Sequence, residues 1–99
     1  MKFDEKFNTS SKAWMNRWVR IAKRKSDEEL LDLYESNSPA FYNQDEFPID
    51  HILVSMTAVY LISVVLKQRY PQNKTLQDWD INKFINLRGV ILNEKETKA

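Results

Sequence analysis

His51 follows Asp50, and a carboxylate beside an imidazole is the pairing that orients a general base. The spacing works against it, because neighbouring residues on a helix point about 100° apart and do not face each other. The chain has no cysteine, and no serine or threonine can be assigned to the reach of its single histidine, so no pair of nucleophile and base can be assembled. His51 is therefore read as a residue near the start of a helix. Asp78 and Asp80 flank Trp79 in DWD, which suits two carboxylates on one cation. Two carboxylates without further ligands make a poor site, and Asp78 has a capping role that accounts for it. With Gly89 as the sole glycine, no glycine-rich loop is available to cradle a phosphate. The lack of cysteine also excludes disulfides, thiolate catalysis and cysteine-bound zinc or iron-sulfur centres. These residue types predict a protein that is not an enzyme and holds no cofactor and no metal.

Binding chemistry is better represented. Fifteen Lys and Arg nearly cancel fourteen Asp and Glu, yet the two signs are segregated. Six basic residues and no acid lie between Lys12 and Lys25; eight acids and no base lie between Asp27 and Asp50. In KAWMNRWVRIAKRK, a helix gathers Arg17, Arg20, Lys23 and Arg24 on one side and Trp14 and Trp18 on the other. Such a face suits phosphates in non-specific nucleic-acid binding, an acidic protein surface, or an anionic membrane with the tryptophans among headgroups. The plainer alternative is a solvated face neutralised by the acidic helix that follows, with both tryptophans in the core. No helix-turn-helix is indicated, because the segment after the basic helix is acidic and phosphate would repel it. The acidic stretch 27–50 is a second candidate surface, able to occupy a basic groove meant for nucleic acid. Phe41, Tyr42 and Phe47, in an aromatic connection, are the third.

The elements that must position these groups are helical. One glycine and three prolines are too little turn chemistry for a many-stranded sheet. A first helix is expected over 12–25, capped by Ser10 or Ser11, with Met15, Val19, Ile21 and Ala22 completing the tryptophan side. SDEE announces a second helix over 27–36, in which Ser26 and Glu29 form a capping box and the helix stops before SNSP. Ser38 and Pro39 are read as the cap and first turn of a short helical segment through Phe41 and Tyr42. Pro48 opens a long third helix over 49–68, ending before Pro71. Thr75 and Asp78 start a last helix over 76–91; alternatively TLQDW is a separate turn and a new helix begins at Asp80. Gly89 is expected as a left-handed C-cap that leaves Val90, Ile91 and Leu92 extended.

The run HILVSMTAVYLISVVL, residues 51–66, carries no formal charge with His51 neutral, and its Ser55, Thr57 and Ser63 point in separate directions. A helix apolar all round belongs in an interior, either covered completely by the other helices and the aromatic connection Phe41, Tyr42 and Phe47, or with one strip left available for a second copy or a partner. Sixteen residues reach about 24 Å, short of the roughly 30 Å of hydrocarbon that a membrane span must cross, so no membrane span is expected. The fold predicted is all-α, one compact bundle of about four helices around a central apolar helix over 49–68. One domain is expected over 1–99, with loose ends at 1–9 and 93–99. The N-terminal residues do not read as a secretory signal, which points to the cytoplasm. The function expected is a small helical binding protein, an adaptor, subunit or inhibitor of the kind found among accessory proteins of phages and mobile elements. Its partner is expected to be a protein, with a homodimer among the candidates, contacted through Trp14, Trp18, Arg17, Arg20, Lys23 and Arg24 and then through Phe41, Tyr42 and Phe47. A nucleic-acid-binding module using the basic helix is the alternative.

Overall fold

The computed structural model describes residue 13 and residues 15–98, the last two by backbone alone, and every regular element among them is helical. Trp14, the capping serines Ser10 and Ser11, and the loose end expected at 1–9 lie outside the described residues. The elements run α1 (15–23), α2 (Asp27–Tyr42), a single 3-10 turn at Gln44–Glu46, α3 (Ile49–Arg69), α4 (Lys74–Asp78) and α5 (Leu87–Lys98).

The start of α2 follows from SDEE. The Ser26 hydroxyl accepts from the Glu29 amide at 3.1 Å, and the Glu29 carboxylate accepts from the Ser26 amide at 3.0 Å, which satisfies two amides that the first turn leaves bare. The far end departs from expectation, because α2 does not stop at SNSP but continues through Pro39 to Tyr42. A proline inside a helix removes one amide donor and crowds the preceding turn. The polar residues before it bond back to the preceding turn: Ser36 and Asn37 donate to the Leu33 carbonyl, and Ser38 donates to that of Tyr34. Continuation also carries Ala40 and Phe41 into the core. The expected cap and new start at Ser38 and Pro39 are thereby replaced by one helix.

The core lies where α2 and α3 pack antiparallel. Leu30, Leu31 and Tyr34 of α2 meet Val59, Ile62, Val65 and Leu66 of α3, with Ala22 of α1 above and Leu76, Trp79, Leu87 and Ile91 closing the other side. Asp27 fixes the register at one end by pairing with Arg69 at 2.7 Å, and Ser55 donates to Asn37 Oδ1 at 3.3 Å near the other. α1 runs parallel to α3, since Met15 shares a cleft with Met56 and Tyr60 while Arg69 donates to the carbonyls of Lys23 and Lys25.

Further expectations are corrected in the C-terminal third. The cap of α4 is Asn73, whose side chain accepts from the Leu76 amide at 2.9 Å, so Thr75 and Asp78 form no capping box. TLQDW is a separate turn of helix, and the next helix begins at Leu87 rather than Asp80. Between them Asp80 accepts from the Asn82 amide at 3.0 Å and the Trp79 indole donates to the Lys83 carbonyl at 3.0 Å. Gly89 is not a C-cap: it sits in the first turn of α5 with negative φ, and its amide donates to Asn86 Oδ1 at 3.1 Å. Val90, Ile91 and Leu92 are helical instead of extended, and helix continues into the expected loose end at 93–99.

Candidate functional site

The long helix forms over nearly the bounds that its sequence implies, but only its second half is enclosed. Val59, Ile62, Val65 and Leu66 are buried, whereas Ile49 is 65% exposed, Leu53 54%, Val54 63%, Met56 45% and Tyr60 46%. Of the two expectations for this helix, complete cover is the one corrected here. Among the described residues α1 runs from Met15, beside Met56 and Tyr60, towards Arg69, and on the first turns of α3 Ser55 is buried against Asn37 of α2 while Ile49, Leu53 and Val54 stay exposed. Ile49, Leu53, Met56 and Tyr60 follow a 4-3-4 spacing and fall on one line along the helix. At 21 residues α3 is also long and apolar enough to cross a membrane by length and composition, although part of it is buried within the protein.

Two hollows flank this stripe. One, of about 570 Å³, lies between α1, α2 and α3 and is walled by Trp18, Ile21, Leu33, Leu53, Val54 and Leu61 among others. Its polar wall groups are partly committed inside the protein, since the Asn37 amide donates to the Leu33 carbonyl at 2.8 Å and Thr57 donates to the Leu53 carbonyl at 3.1 Å. Lys25 is the one charged residue that lines it among the described residues. The other, of about 740 Å³, is bounded by Met15, Phe41, Tyr42, Met56, Tyr60 and the turn Asn43–Glu46, and its rim is acidic.

The candidate residues are distributed unevenly around these hollows. Trp18 is 40% exposed and forms the lip of the apolar groove, where the core reading had placed it inside. Arg17, Arg20 and Lys23 on α1 and Arg24 just after it lie exposed, and among the described residues none of them takes part in an ion pair. Phe41 is buried and Tyr42 half-buried, the latter donating to the Ile81 carbonyl at 2.8 Å; together they form a wall of the acidic-rimmed cleft. Phe47 is half-buried beside the exposed His51, ring centres 6.5 Å apart. The basic and aromatic candidates therefore do not form one surface. Leu33, Leu53, Val54, Met56 and Tyr60 were not singled out by the sequence reading; the 4-3-4 spacing is the signal that would have found part of them.

The acids of α2 are engaged elsewhere than on α1. Arg88 of α5 reaches Glu28 at 2.6 Å, Asp32 at 2.8 Å and Glu35 at 2.8 Å, and these contacts hold the Glu35 carboxyl below its ordinary range and the guanidinium above its own. At Asp27 burial works to raise the pKa, but donation from Tyr70 and Arg69 and the charges of Lys95 and Arg69 outweigh it, so the carboxyl is held low. Burial, and then donation to Asp27, pushes the Tyr70 phenol up to about 12. The Tyr42 phenol is raised as well, by burial and then by the Tyr34 hydroxyl 3.4 Å away. No group of three or more potential metal-ligating side chains is present among the described residues. Comparison of the chain with protein-family models, with characterised proteins and with solved structures finds no match.

Proposed function

We propose that this chain is a small non-enzymatic helical binding protein that acts through protein–protein contacts, as an adaptor, subunit or inhibitor. The observation that supports this reading is the apolar first half of α3, exposed beside a groove walled almost wholly by apolar side chains. An exposed apolar patch rimmed by polar groups is characteristic of a contact surface, and an amphipathic helix laid in such a groove is a recurrent mode of recognition. The test is affinity capture from the native host with the intact chain as bait, repeated with Leu53→Asp and Val54→Asp. Both side chains are more than half exposed, so the substitutions should leave the helical circular-dichroism spectrum intact while removing the captured partner. Capture that both variants retain refutes this surface.

A second reading has an observation of its own. Arg17, Arg20, Lys23 and Arg24 are exposed with no ion pair among the described residues, which suits a sequence-independent nucleic-acid contact. Fluorescence anisotropy with generic duplex DNA and RNA at low salt tests it, because phosphate contacts are then strongest. Binding that weakens steeply with salt and is lost in Arg17→Glu, Arg20→Glu, Arg24→Glu supports this reading; no binding at low salt removes it.

A further inference from the structure

We propose that the groove between α1, α2 and α3 binds a single amphipathic carboxylate, a medium-chain fatty acid, with its alkyl chain against the apolar walls and its carboxylate at Lys25. The inference goes beyond the protein-contact reading and does not depend on it. The groove is a cavity with a floor and a rim: Leu30, Leu61 and Ile62 are buried beneath it, and Trp18, Leu33 and Val54 stand more than a third exposed around it. Its volume of about 570 Å³ falls within the roughly 300–1,000 Å³ of small-ligand sites. The uncharged polar side chains in its walls are already bonded within the protein, since Asn37 donates to the Leu33 carbonyl and accepts from Ser55, and Thr57 donates to the Leu53 carbonyl. Burying a polar ligand body against such walls would leave its groups unpaired, whereas an alkyl chain has none to pair.

Charge places the head group. Lys25 lines the groove and takes part in no ion pair among the described residues, and no acid lines the groove with it. Three acids follow Lys25 in sequence, and the fold holds each of them elsewhere: Asp27 pairs with Arg69, Glu28 pairs with Arg88, and Glu29 accepts from the Ser26 amide. The Glu29 carboxyl is held low by that amide first and by the charge of Lys25 last, so Lys25 is its neighbour and not its partner. Topology then sets the direction of the chain. Because α2 and α3 are antiparallel, Lys25, just before α2, lies at the Ile62 end of the groove, and the tail runs towards Leu33, Leu53 and Val54. Between Ile62 and Leu53 α3 rises about 14 Å, which at roughly 1.2 Å per bond of an extended chain is about eleven bonds, the length of dodecanoate.

Isothermal titration calorimetry of the intact chain with octanoate, decanoate and dodecanoate, each below its micelle concentration, tests the inference. One molecule should bind per chain, with affinity rising about fourfold for each added methylene. Lys25→Gln should weaken dodecanoate about fivefold, the upper end for an ion pair open to water, and Lys25→Arg should keep it. Dodecyltrimethylammonium, with the same tail and the opposite charge, should bind more weakly than dodecanoate. Ala58→Phe fills the groove from α3 and should abolish binding with helicity unchanged; Leu33→Asp, on the exposed rim, gives the same result should the first variant fail to fold. No saturable binding of dodecanoate overturns the inference, as does binding that these groove variants leave unchanged. Equal affinity for the ammonium amphiphile, or no effect of Lys25→Gln, overturns the place of the carboxylate. A chain that sediments with vesicles of anionic phospholipid but binds no free dodecanoate recognises a lipid surface, which overturns the single-molecule site. Capture of a host protein is a separate measurement, and its outcome decides the protein-contact reading alone.

Discussion

Asp27→Asn should destabilise the protein by about 2 kcal/mol at neutral pH, and the deficit should vanish in acid. Asp27 stands at the first position of α2, where a carboxylate also complements the helix dipole, and it gathers three partners. Arg69 donates to it at 2.7 Å from the end of α3, Tyr70 donates to its other oxygen, and Lys95 of α5 approaches to 3.4 Å. An asparagine keeps one acceptor for Arg69 but offers Tyr70 an amide in place of an oxygen, and it abolishes the charge. Exposed pairs contribute at most about 1 kcal/mol and breaking fully buried ones costs about 3–5 kcal/mol. The Asp27 side chain is 12% exposed and that of Arg69 27%, which places the loss between those limits. For a domain of this size, about 2 kcal/mol lowers Tm by about 10 °C. The sign with pH follows from the depressed pKa: the stabilisation is fully present above the unfolded value near 3.8 and is lost as pH falls through the lower folded value. Urea unfolding of both proteins from pH 7 down to pH 2 measures it. A gap between them that stays constant across that range, or no gap at pH 7, refutes the account.

Tyr34→Phe should cost about 2 kcal/mol, because the buried hydroxyl both donates to the Ile85 carbonyl at 3.1 Å and accepts from the Ile85 amide at 3.2 Å; denaturant titration reads the loss. Tyr70→Phe should remove part of the alkaline loss of stability, since a phenol raised to about 12 stabilises the fold below its unfolded value near 10 and fails as pH rises from 10 towards 12. Thermal unfolding in that window, with phenolate absorbance as the titration readout, checks it. Arg88→Ala should release α5 from three acids of α2, lowering Tm at low salt and progressively less as salt is added, because the cluster is at the surface. Gly89→Ala should stabilise α5 slightly, by less than about 1 kcal/mol, since the added methyl meets only the movable Asn86 side chain while helix propensity improves. A Tm lower than that of the parent would show that Asn86 cannot yield.

Local chemistry made the starts of helices legible and left several ends obscure. Ser26 and Glu29 announce α2 because both halves of the capping box are four residues of sequence, and Pro48 announces α3 because proline suits a helix entry. The end of α2 was misread because Pro39 is a local signal overruled by a distant one: the burial of Phe41 and Ala40 against the rest of the fold. Gly89 misled for the same reason. Its backbone freedom suggests a terminus, but Leu87 and Ile91 are both buried, and a helix spanning Gly89 keeps the two side chains on one face.

The site was less legible than the fold because exposure is a balance of areas between elements, which no single segment carries. Uncharged sequence from His51 to Leu66 implies burial, and burial is what its second half obtains. Supply fails over the first half for a reason visible in the charges. Had α1 packed its basic face on the acids of α2, it would have been drawn away from α3 and its cations consumed. Arg69 and Arg88, from α3 and α5, take those acids instead. Among the described residues α1 lies along α3 with its cations exposed, from beside Tyr60 to Arg69, and before that point Ile49, Leu53, Val54 and Met56 stay exposed while Ser55 and Val59 are buried. The exposed cations of α1 and the exposed apolar residues of α3 are thus the two features that pairing within the bundle leaves unsatisfied among the described residues.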